Sequence, residues 1–164
     1  MKVLAKGIEK TMVSWQCSFF SDLSNEELYA ILKARQLVFV VEQNCAFLDA
    51  DDIDQHCWHL MAWRGEPPQR ALLAYARVVP PGLKYVEPSI GRVVTTPEAR
   101  GQGYGKELMK RATEKTESLY PGLAIRIGAQ QYLERFYGRL GYQTVSKPYI
   151  EDDIPHVEML RVAR

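Results

Sequence analysis

An arginine followed by alternating glycines separates two stretches of the chain with different periodicity. Arg100, Gly101, Gly103 and Gly105 come after a β-branched, apolar run and before a run in which apolar residues recur at helical spacing. Glycine allows a tight turn and a close backbone approach to a ligand, and the first N–H groups of a helix have no intrahelical acceptor. The helix dipole and the Arg100 guanidinium both add positive charge at this end. The pattern predicts a loop that binds phosphate or pyrophosphate, the alternative being a turn that only packs.

Two common phosphate-binding loops do not fit this spacing. A Walker loop needs Gly-Lys followed by Ser or Thr, whereas Gly105-Lys106 is followed by Glu107, so no hydroxyl is available for a magnesium ion. A dinucleotide fingerprint needs its third glycine at the position that Lys106 occupies. The pattern that remains is Arg-x-x-Gly-x-Gly, formed by Arg100, Gly103 and Gly105.

A carboxylate directly follows the longest apolar run of the chain. The run, residues 37–41, is rich in β-branched and aromatic side chains, and we expect it to end a helix as part of the core near Glu42. Glu42 is then either a surface residue at the helix end or a partly desolvated base with a raised pKa.

The composition is that of an ordinary globular protein. The 164 residues are 46% hydrophobic and 25% charged, with a formal net charge of +1. This balance lacks the basic excess that nucleic acid or an anionic membrane attracts, and the apolar run is far too short to span a bilayer. Residues 1–12 carry scattered charges and no signal-peptide core. We expect a short N-terminal extension, residues 1–12, and a single domain, residues 13–164, in a cytoplasmic protein without nucleic-acid or membrane partners.

Two groups of potential metal ligands fail on spacing. The segment 56–59, His-Cys-Trp-His, lacks a second pair of ligands at zinc-finger distance. The acidic segment 49–54 resembles a calcium loop, but Asp54 stands where an EF-hand needs glycine and Leu60 where it needs glutamate. We therefore expect no metal site and a solvated acidic loop. The cysteines are odd in number and widely spaced, which predicts free thiols: Cys17, Cys45 and Cys57.

Hydrophobic periodicity predicts about seven strands and three helices, and hence an α+β protein with a mixed sheet. The first helix opens with the capping box Ser24-x-x-Glu27, and the last helix ends at Gly141. The glycine loop joins a strand at 89–95 to a helix, and the next strand follows at 123–129. This order predicts a right-handed parallel crossover that makes the fourth and fifth strands neighbours. The other predicted strands cover residues 13–20, 59–64, 71–79, 142–149 and 156–162.

Three segments resemble the GNAT acetyltransferase superfamily. Residues 93–105, Val-Val-Thr-Thr-Pro-Glu-Ala-Arg-Gly-Gln-Gly-Tyr-Gly, are similar to the acetyl-CoA loop of that family. Residues 130–142, which include Phe136-Tyr137, look like the family's following helix. Residues 38–43, Val-Phe-Val-Val-Glu-Gln, and 154–156, Ile-Pro-His, resemble its ElaA-like branch. The likeness extends over about residues 13–161.

The resemblance implies a mixed sheet of about seven strands, flanked by helices, that splays between its fourth and fifth strands to hold acetyl-CoA. In the family, backbone groups at Val93 and Thr95 would pair with the pantetheine arm, and the N–H of Val94 would stabilise the oxyanion. Tyr137 would protonate the departing thiolate, although an aromatic core residue is the alternative. The residues that the resemblance places on acetyl-CoA are Val93, Val94, Thr95, Arg100, Gly101, Gln102, Gly103, Tyr104, Gly105, Lys106 and Gln130.

An amine acceptor has to lose a proton before it attacks a thioester, and the candidate bases are Glu42, His59 and His156, with Glu42 first. Each histidine also has a structural interpretation, since His59 can be a satisfied residue at a strand start and His156 can brace the last strands. Arg35 can orient a substrate carboxylate or pair with an acid of the 49–54 loop. We assign Glu42 and Tyr137 to catalysis, and Arg35, His59 and His156 to the acceptor site.

The resemblance favours an N-acetyltransferase that moves an acetyl group directly from acetyl-CoA to a primary amine of a small molecule or peptide. One alternative is an acyltransferase like the acyl-homoserine-lactone synthases. The other is a non-catalytic acyl-CoA sensor, which would not need Tyr137. Loops rich in Asp and Glu favour a cationic amine without selecting one, and a homodimer is an open alternative to a monomer.

Overall fold

The computed structural model describes residues 12–163, so nearly all of the predicted extension at residues 1–12 lies outside the described part. Eight strands form one sheet. The strands are β1 (Val13–Phe19), β2 (Trp58–Arg64), β3 (Ala71–Val79), β4 (Ser89–Thr95), β5 (Ile125–Gln130), β6 (Gln143–Thr144), β7 (Tyr149–Glu151) and β8 (Ile154–Arg161). The α-helices are α1 (Asn25–Arg35), α2 (Tyr104–Leu119) and α3 (Glu134–Gly138), and a π-helical segment, Gln36–Glu42, extends α1.

The sheet is mixed and splays where the prediction placed the opening. Its strand order is β1-β2-β3-β4-β5-β8-β6, with β7 also paired to β8. Only β4 and β5 run parallel, and the pairing between them is limited to Ser89 and Arg126 near the start of both strands. Beyond that pair the strands separate. The predicted α+β fold with a splayed central sheet is therefore confirmed.

The end of the chain differs in detail from the two long strands that periodicity predicts. Residues 142–149 divide into the short strands β6 and β7. Pro148 has no N–H group to continue a ladder, which explains the break between them. Both short strands pair with β8, so the final hairpin still packs on the sheet next to β5.

Helices cover both faces of the sheet. Alternate residues of β2 point to opposite faces, so Leu60 joins one buried cluster and Met61 joins the other. The apolar side of α2, including Leu108 and Met109, packs with α3 on the first face. Ile31 of α1 packs on the second face. The predicted capping box is present, because Ser24 and Glu27 exchange side-chain to backbone hydrogen bonds at the start of α1. No helix within residues 12–163 is long and apolar enough to cross a membrane.

The prediction that the apolar run at 37–41 belongs to the core is wrong for both ends of the run, because Leu37 and Val41 are 38% and 63% exposed. Val38 and Phe39 are half-buried: they pack against the buried cluster on the second face and also line a cleft. The run belongs to the π-helical segment, where the Cys45 N–H donates to the Val40 carbonyl over 3.1 Å. Wider helical turns place successive side chains differently from an α-helix, so the run is divided between cleft and surface.

Candidate active site

The separation of β4 from β5 opens a cleft of about 660 Å³. Its walls come from both strands, the π-helical segment, α3 and the β7–β8 hairpin. Of the residues predicted to hold acetyl-CoA, six line this cleft: Val93, Val94, Thr95, Arg100, Gly105 and Gln130. The other five belong to the glycine loop and the first turn of α2: Gly101, Gln102, Gly103, Tyr104 and Lys106.

The glycine loop has the backbone conformation that anion binding requires. Gly101 and Gly103 have φ angles of +74° and +83°, a region that L side chains rarely adopt. Gly103 is the N-cap of α2, and its carbonyl accepts the N–H of Glu107 over 3.2 Å. The N–H groups of the first helical turn therefore have no acceptor within the helix, and the positive end of the helix dipole lies beside them.

The free edge of β4 presents backbone groups to the cleft. Thr96 donates its N–H to the Leu73 carbonyl of β3 over 2.9 Å. Backbone groups alternate sides along a strand, so the N–H of Val94 points to β3 while those of Val93 and Thr95 point away from β3, where the cleft replaces β5. A bulge precedes this edge, where the register against β3 shifts and Arg92 has a φ of +51°. This geometry disagrees with the predicted oxyanion contact at Val94 and favours Val93.

Tyr137 combines a buried ring with a position on the cleft wall. The residue is 7% exposed and lines the cleft. Its ring packs edge-to-face against Phe136 and Tyr142, with centroids 5.0 and 6.2 Å apart. Burial, followed by the neighbouring phenols of Tyr142 and Tyr132, raises the pKa of Tyr137, so the phenol is protonated at neutral pH.

Glu42 and Arg100 contact each other across the mouth of the cleft. An Arg100 Nη2 donates to Glu42 Oε2 over 2.6 Å, and both side chains are partly exposed. The residue predicted as base and the residue predicted to bind phosphate therefore form an ion pair, a contact between positions far apart in the chain. An anion that binds Arg100 competes with this carboxylate.

Two of the three residues that we predicted in the acceptor site do not line the cleft. Arg35 is fully buried and pairs with Asp49 and Asp54, which is the structural interpretation. His59 is fully buried, with Nδ1 2.8 Å from the Tyr75 hydroxyl and Nε2 3.0 Å from the Asp54 carbonyl. Direct contact of either residue with a substrate in the cleft is therefore a wrong prediction, because their polar groups are occupied inside the core.

His156 is the predicted acceptor-site residue that remains in the cleft. Its Nδ1 lies 2.7 Å from the Ile154 carbonyl and its Nε2 lies 3.7 Å from Glu151 Oε2. The ring stacks on Tyr149 with centroids 5.9 Å apart. Gln130 also lies in the cleft, where its Nε2 is 3.4 Å from Gln43 Oε1. His156 is thus held in one orientation with its outer nitrogen close to a carboxylate.

Pairing of Arg35 with the 49–54 loop was one of the two alternatives drawn from the sequence, but the network of ion pairs to which it belongs was not predicted. Three arginines pair with three aspartates of the 49–54 loop, which is therefore not the solvated loop that we predicted. Asp54 Oδ1 accepts hydrogen bonds from Arg35 and Arg77, each over 2.8 Å. The sequence signal was Arg77, a charge within the apolar strand β3. The network comprises Arg35, Arg77, Arg92, Asp49, Asp51 and Asp54.

Comparisons with known proteins decide the family. A model of the acetyltransferase (GNAT) domain matches residues 74–162. A UPF0039 protein of Synechocystis is 40% identical over 148 residues, which cover 90% of this chain and 94% of that protein. The chain belongs to the GNAT acetyltransferase family. Its predicted resemblance to that family is therefore confirmed.

Solved structures agree with the GNAT assignment. An acyl-CoA N-acyltransferase from Pseudomonas aeruginosa superimposes with a TM-score of 0.86 at 42% identity, covering 92% of this chain and all of that one. The ElaA protein of Escherichia coli gives a TM-score of 0.84 at 36% identity, covering 92% and 99%. The likeness to ElaA predicted from segments 38–43 and 154–156 is borne out.

GNAT proteins use an acyl-CoA donor and an amine acceptor, and the cleft fits such a donor. The residues that would hold the pyrophosphate are those at the N-terminus of α2, where Gly101 and Gly103 leave the backbone uncovered. The unpaired edge of β4 would hold the pantetheine arm, because β5 pairs with β4 only near the start of both strands.

Proposed function

We propose that this GNAT protein transfers an acetyl group directly from acetyl-CoA to a primary amine of a small molecule or a peptide. The observation that carries the proposal is the arrangement of three features around one cleft. The glycine loop lies at one end of it, the free edge of β4 forms one wall, and Tyr137 lies on another wall. Together they match the three needs of the reaction, which are donor binding, oxyanion stabilisation and thiolate protonation.

In the proposed reaction a neutral amine attacks the thioester carbonyl, a carbon–nitrogen bond forms and the carbon–sulfur bond breaks. The N–H of Val93 is the proposed donor to the developing oxyanion, in place of Val94, because it points away from β3. The proton from Tyr137 goes to the sulfur of the departing thiolate. The Tyr137 phenol is suited to this role because burial keeps it protonated and the residue lines the cleft.

Glu42 remains the first candidate for the base that takes the proton of the ammonium group, directly or through water. Its carboxylate lines the cleft but is held by Arg100. A donor pyrophosphate offers Arg100 a stronger anionic partner, which would release Glu42 for proton transfer. His156 is the second candidate, because its Nε2 is close to Glu151 and its ring lines the same cleft.

An assay of free thiol release tests the proposal. The protein is mixed with acetyl-CoA and a panel of primary amines, and the acetylated product is identified by its mass. Thiol release that depends on an amine, together with an acetylated amine, is the expected result. Binding of acetyl-CoA without transfer to any amine would favour the non-catalytic sensor instead, since a sensor needs the loop but not Tyr137.

A further inference from the structure

The acidic loop that we expected to receive a cationic amine is neutralised inside the protein. Asp49, Asp51 and Asp54 are each within 3.2 Å of an arginine nitrogen. The three carboxylates match the three guanidinium groups in number, so this network adds no net negative charge to the cleft. The charge that the acceptor carries must therefore be inferred from the other charged groups that line the cleft.

Lys84 is a cation of the cleft without an anionic partner. It lies in the loop between β3 and β4, its side chain is exposed, and it lines the cleft. Within residues 12–163 no carboxylate oxygen lies within 4.0 Å of its ammonium group. Desolvation lowers the pKa of Lys84; Glu151 and Asp51 oppose this shift, while Arg92 and Arg77 add to it. Lys84 therefore lies near charges of both signs without forming an ion pair with any of the described residues.

Arg77 and Arg92 line the same cleft as Lys84, although both belong to the neutralised ion-pair network. The Nε–H of Arg77 is buried and has no acceptor among the described residues, although the side chain is only 1% exposed. A buried donor without an acceptor costs free energy, and a ligand oxygen or a water would remove that cost. This observation is independent of Lys84, and both residues line the same cleft.

We propose that the acceptor is an amine that also carries an anionic group, a carboxylate or a phosphate, and that Lys84 binds this group beside Arg77 and Arg92. The inference rests on the proposed function and specifies its substrate class. Glu151 and Asp152, on the β7–β8 hairpin, supply negative charge to the same cleft. A molecule with an ammonium group and an anionic group therefore finds charges of both signs, whereas a simple alkylamine leaves Lys84 unpaired.

The test compares amines in matched pairs that differ in the anionic group. The pairs are 4-aminobutyrate with butylamine, leucine with leucinamide, and O-phosphoethanolamine with ethanolamine, and the quantity measured is kcat/KM per free amine. In the wild-type protein we expect the anionic member of at least one pair to be favoured by about tenfold or more, the usual value of a charge-assisted contact. The carboxylate and phosphate pairs identify the kind of anion.

Variants at Lys84 connect that preference to the residue. Lys84→Met should abolish the preference by raising KM for the anionic member, and should leave the neutral member and acetyl-CoA binding unchanged. Lys84→Arg should retain a preference, because the positive charge is kept. Lys33→Met is the matched control, since Lys33 is an exposed lysine on α1 outside the cleft, and it should change nothing.

Two other results distinguish failure of this inference from failure of the proposed function. If amines accept the acetyl group but the neutral members are used equally well, or if Lys84→Met retains the preference, this inference is overturned and the proposed function stands. If no amine produces thiol release in the presence of bound acetyl-CoA, the proposed function itself fails and the inference fails with it.

Discussion

The hydroxyl of Tyr137 is removed with little change in volume by the substitution Tyr137→Phe. Because the ring packs against Phe136 and Tyr142, packing and acetyl-CoA affinity should survive. We expect kcat to fall by about 10² to 10⁴, the contribution of a positioned general acid. The raised pKa of Tyr137 keeps the phenol protonated beyond its ordinary range near 10. The pH dependence of kcat should therefore have the same shape in wild type and variant up to about pH 10.

Tyr142→Phe is the matched control for that experiment. Tyr142 is buried and does not line the cleft, and its hydroxyl lies 3.0 Å from Thr113 Oγ1. The control should lose about 1 kcal/mol of stability with the hydrogen bond and retain full kcat. Full activity in Tyr137→Phe would instead leave Tyr137 as an ordinary core aromatic.

Glu42→Gln should lower turnover but raise the affinity for CoA, because Glu42 is the proposed base and also the partner of Arg100. Turnover should fall most near neutral pH and least at high pH, where the free amine is already plentiful. Affinity for CoA should rise severalfold in calorimetric titrations, since the pyrophosphate no longer competes with a carboxylate for Arg100. Glu98→Gln is the control: it removes an equal charge near the glycine loop, but Glu98 pairs with Arg64. An equal loss of turnover at every pH would contradict the role of Glu42 as base.

At the scale of the element, we propose that the glycine loop and α2 bind the donor as one unit. Acetyl-CoA at a hundred times its dissociation constant should stabilise the protein by about 2.7 kcal/mol, measured as a rise in Tm. Gly103→Val should abolish that rise, because a β-branched residue at a φ of +83° distorts the backbone that meets the phosphates. An unchanged wild-type Tm at saturating acetyl-CoA would contradict the donor site itself.

Gly122→Val is the control for Gly103→Val, because it introduces the same backbone strain outside the proposed donor site. Gly122 has a φ of +80° and lies in the turn after α2, and a Cβ there meets no atom within 4 Å. The same holds for Gly103, so both variants should lose a similar amount of stability, on the order of 1–2 kcal/mol, from the left-handed conformation. Only Gly103→Val should lose the acetyl-CoA response.

For the whole molecule, the buried ion network joins the loop after α1 to β3 and β4. Asp54→Asn leaves the guanidinium groups of Arg35 and Arg77 against a neutral amide. We expect a loss of about 3–5 kcal/mol in the free energy of unfolding, measured by urea denaturation, as for other broken buried pairs. Asp52→Asn in the same loop is the control, because Asp52 is exposed and asparagine tolerates its φ of +62°. Equal stability of the two variants would show that the network is not a source of stability.

Acid should destabilise the protein in two stages. Burial lowers the pKa of His59 below 6.5, so the unfolded chain binds a proton that the folded protein does not, and stability falls as pH drops below about 6.5. Despite desolvation, Arg77 and Arg92 lower the pKa of Asp51 from 3.8 to about 2. Its stabilisation is present above pH 4 and is lost as pH falls towards 2, on the order of 2 kcal/mol. Urea denaturation across pH 2–8 measures both stages, and a flat profile above pH 4 would contradict the part assigned to His59.

Features that depend on neighbouring residues could be predicted from the sequence. The capping box, the amphipathic α2, the glycine loop and the place of Tyr137 on a short helix all follow from patterns within a few residues. Backbone propensity and side-chain periodicity act over this range, and they also predicted the parallel crossover between β4 and β5. The fold class followed from them, whereas the family followed from the resemblance of segments 93–105 and 130–142 to GNAT proteins.

Only the tertiary structure decided which charged groups face the cleft. Arg35 and Asp49 are 14 residues apart, and Glu42 and Arg100 are 58 apart, so no local pattern shows that they pair. The same holds for His59, which is buried because Tyr75 and the loop before β2 complete its hydrogen bonds. Partners for buried charges come from wherever separate elements converge. The sequence by itself therefore determined the glycine loop before α2 and the short helix that carries Tyr137. Packing decided that the acidic loop is neutralised, whereas Lys84 forms no ion pair among the described residues.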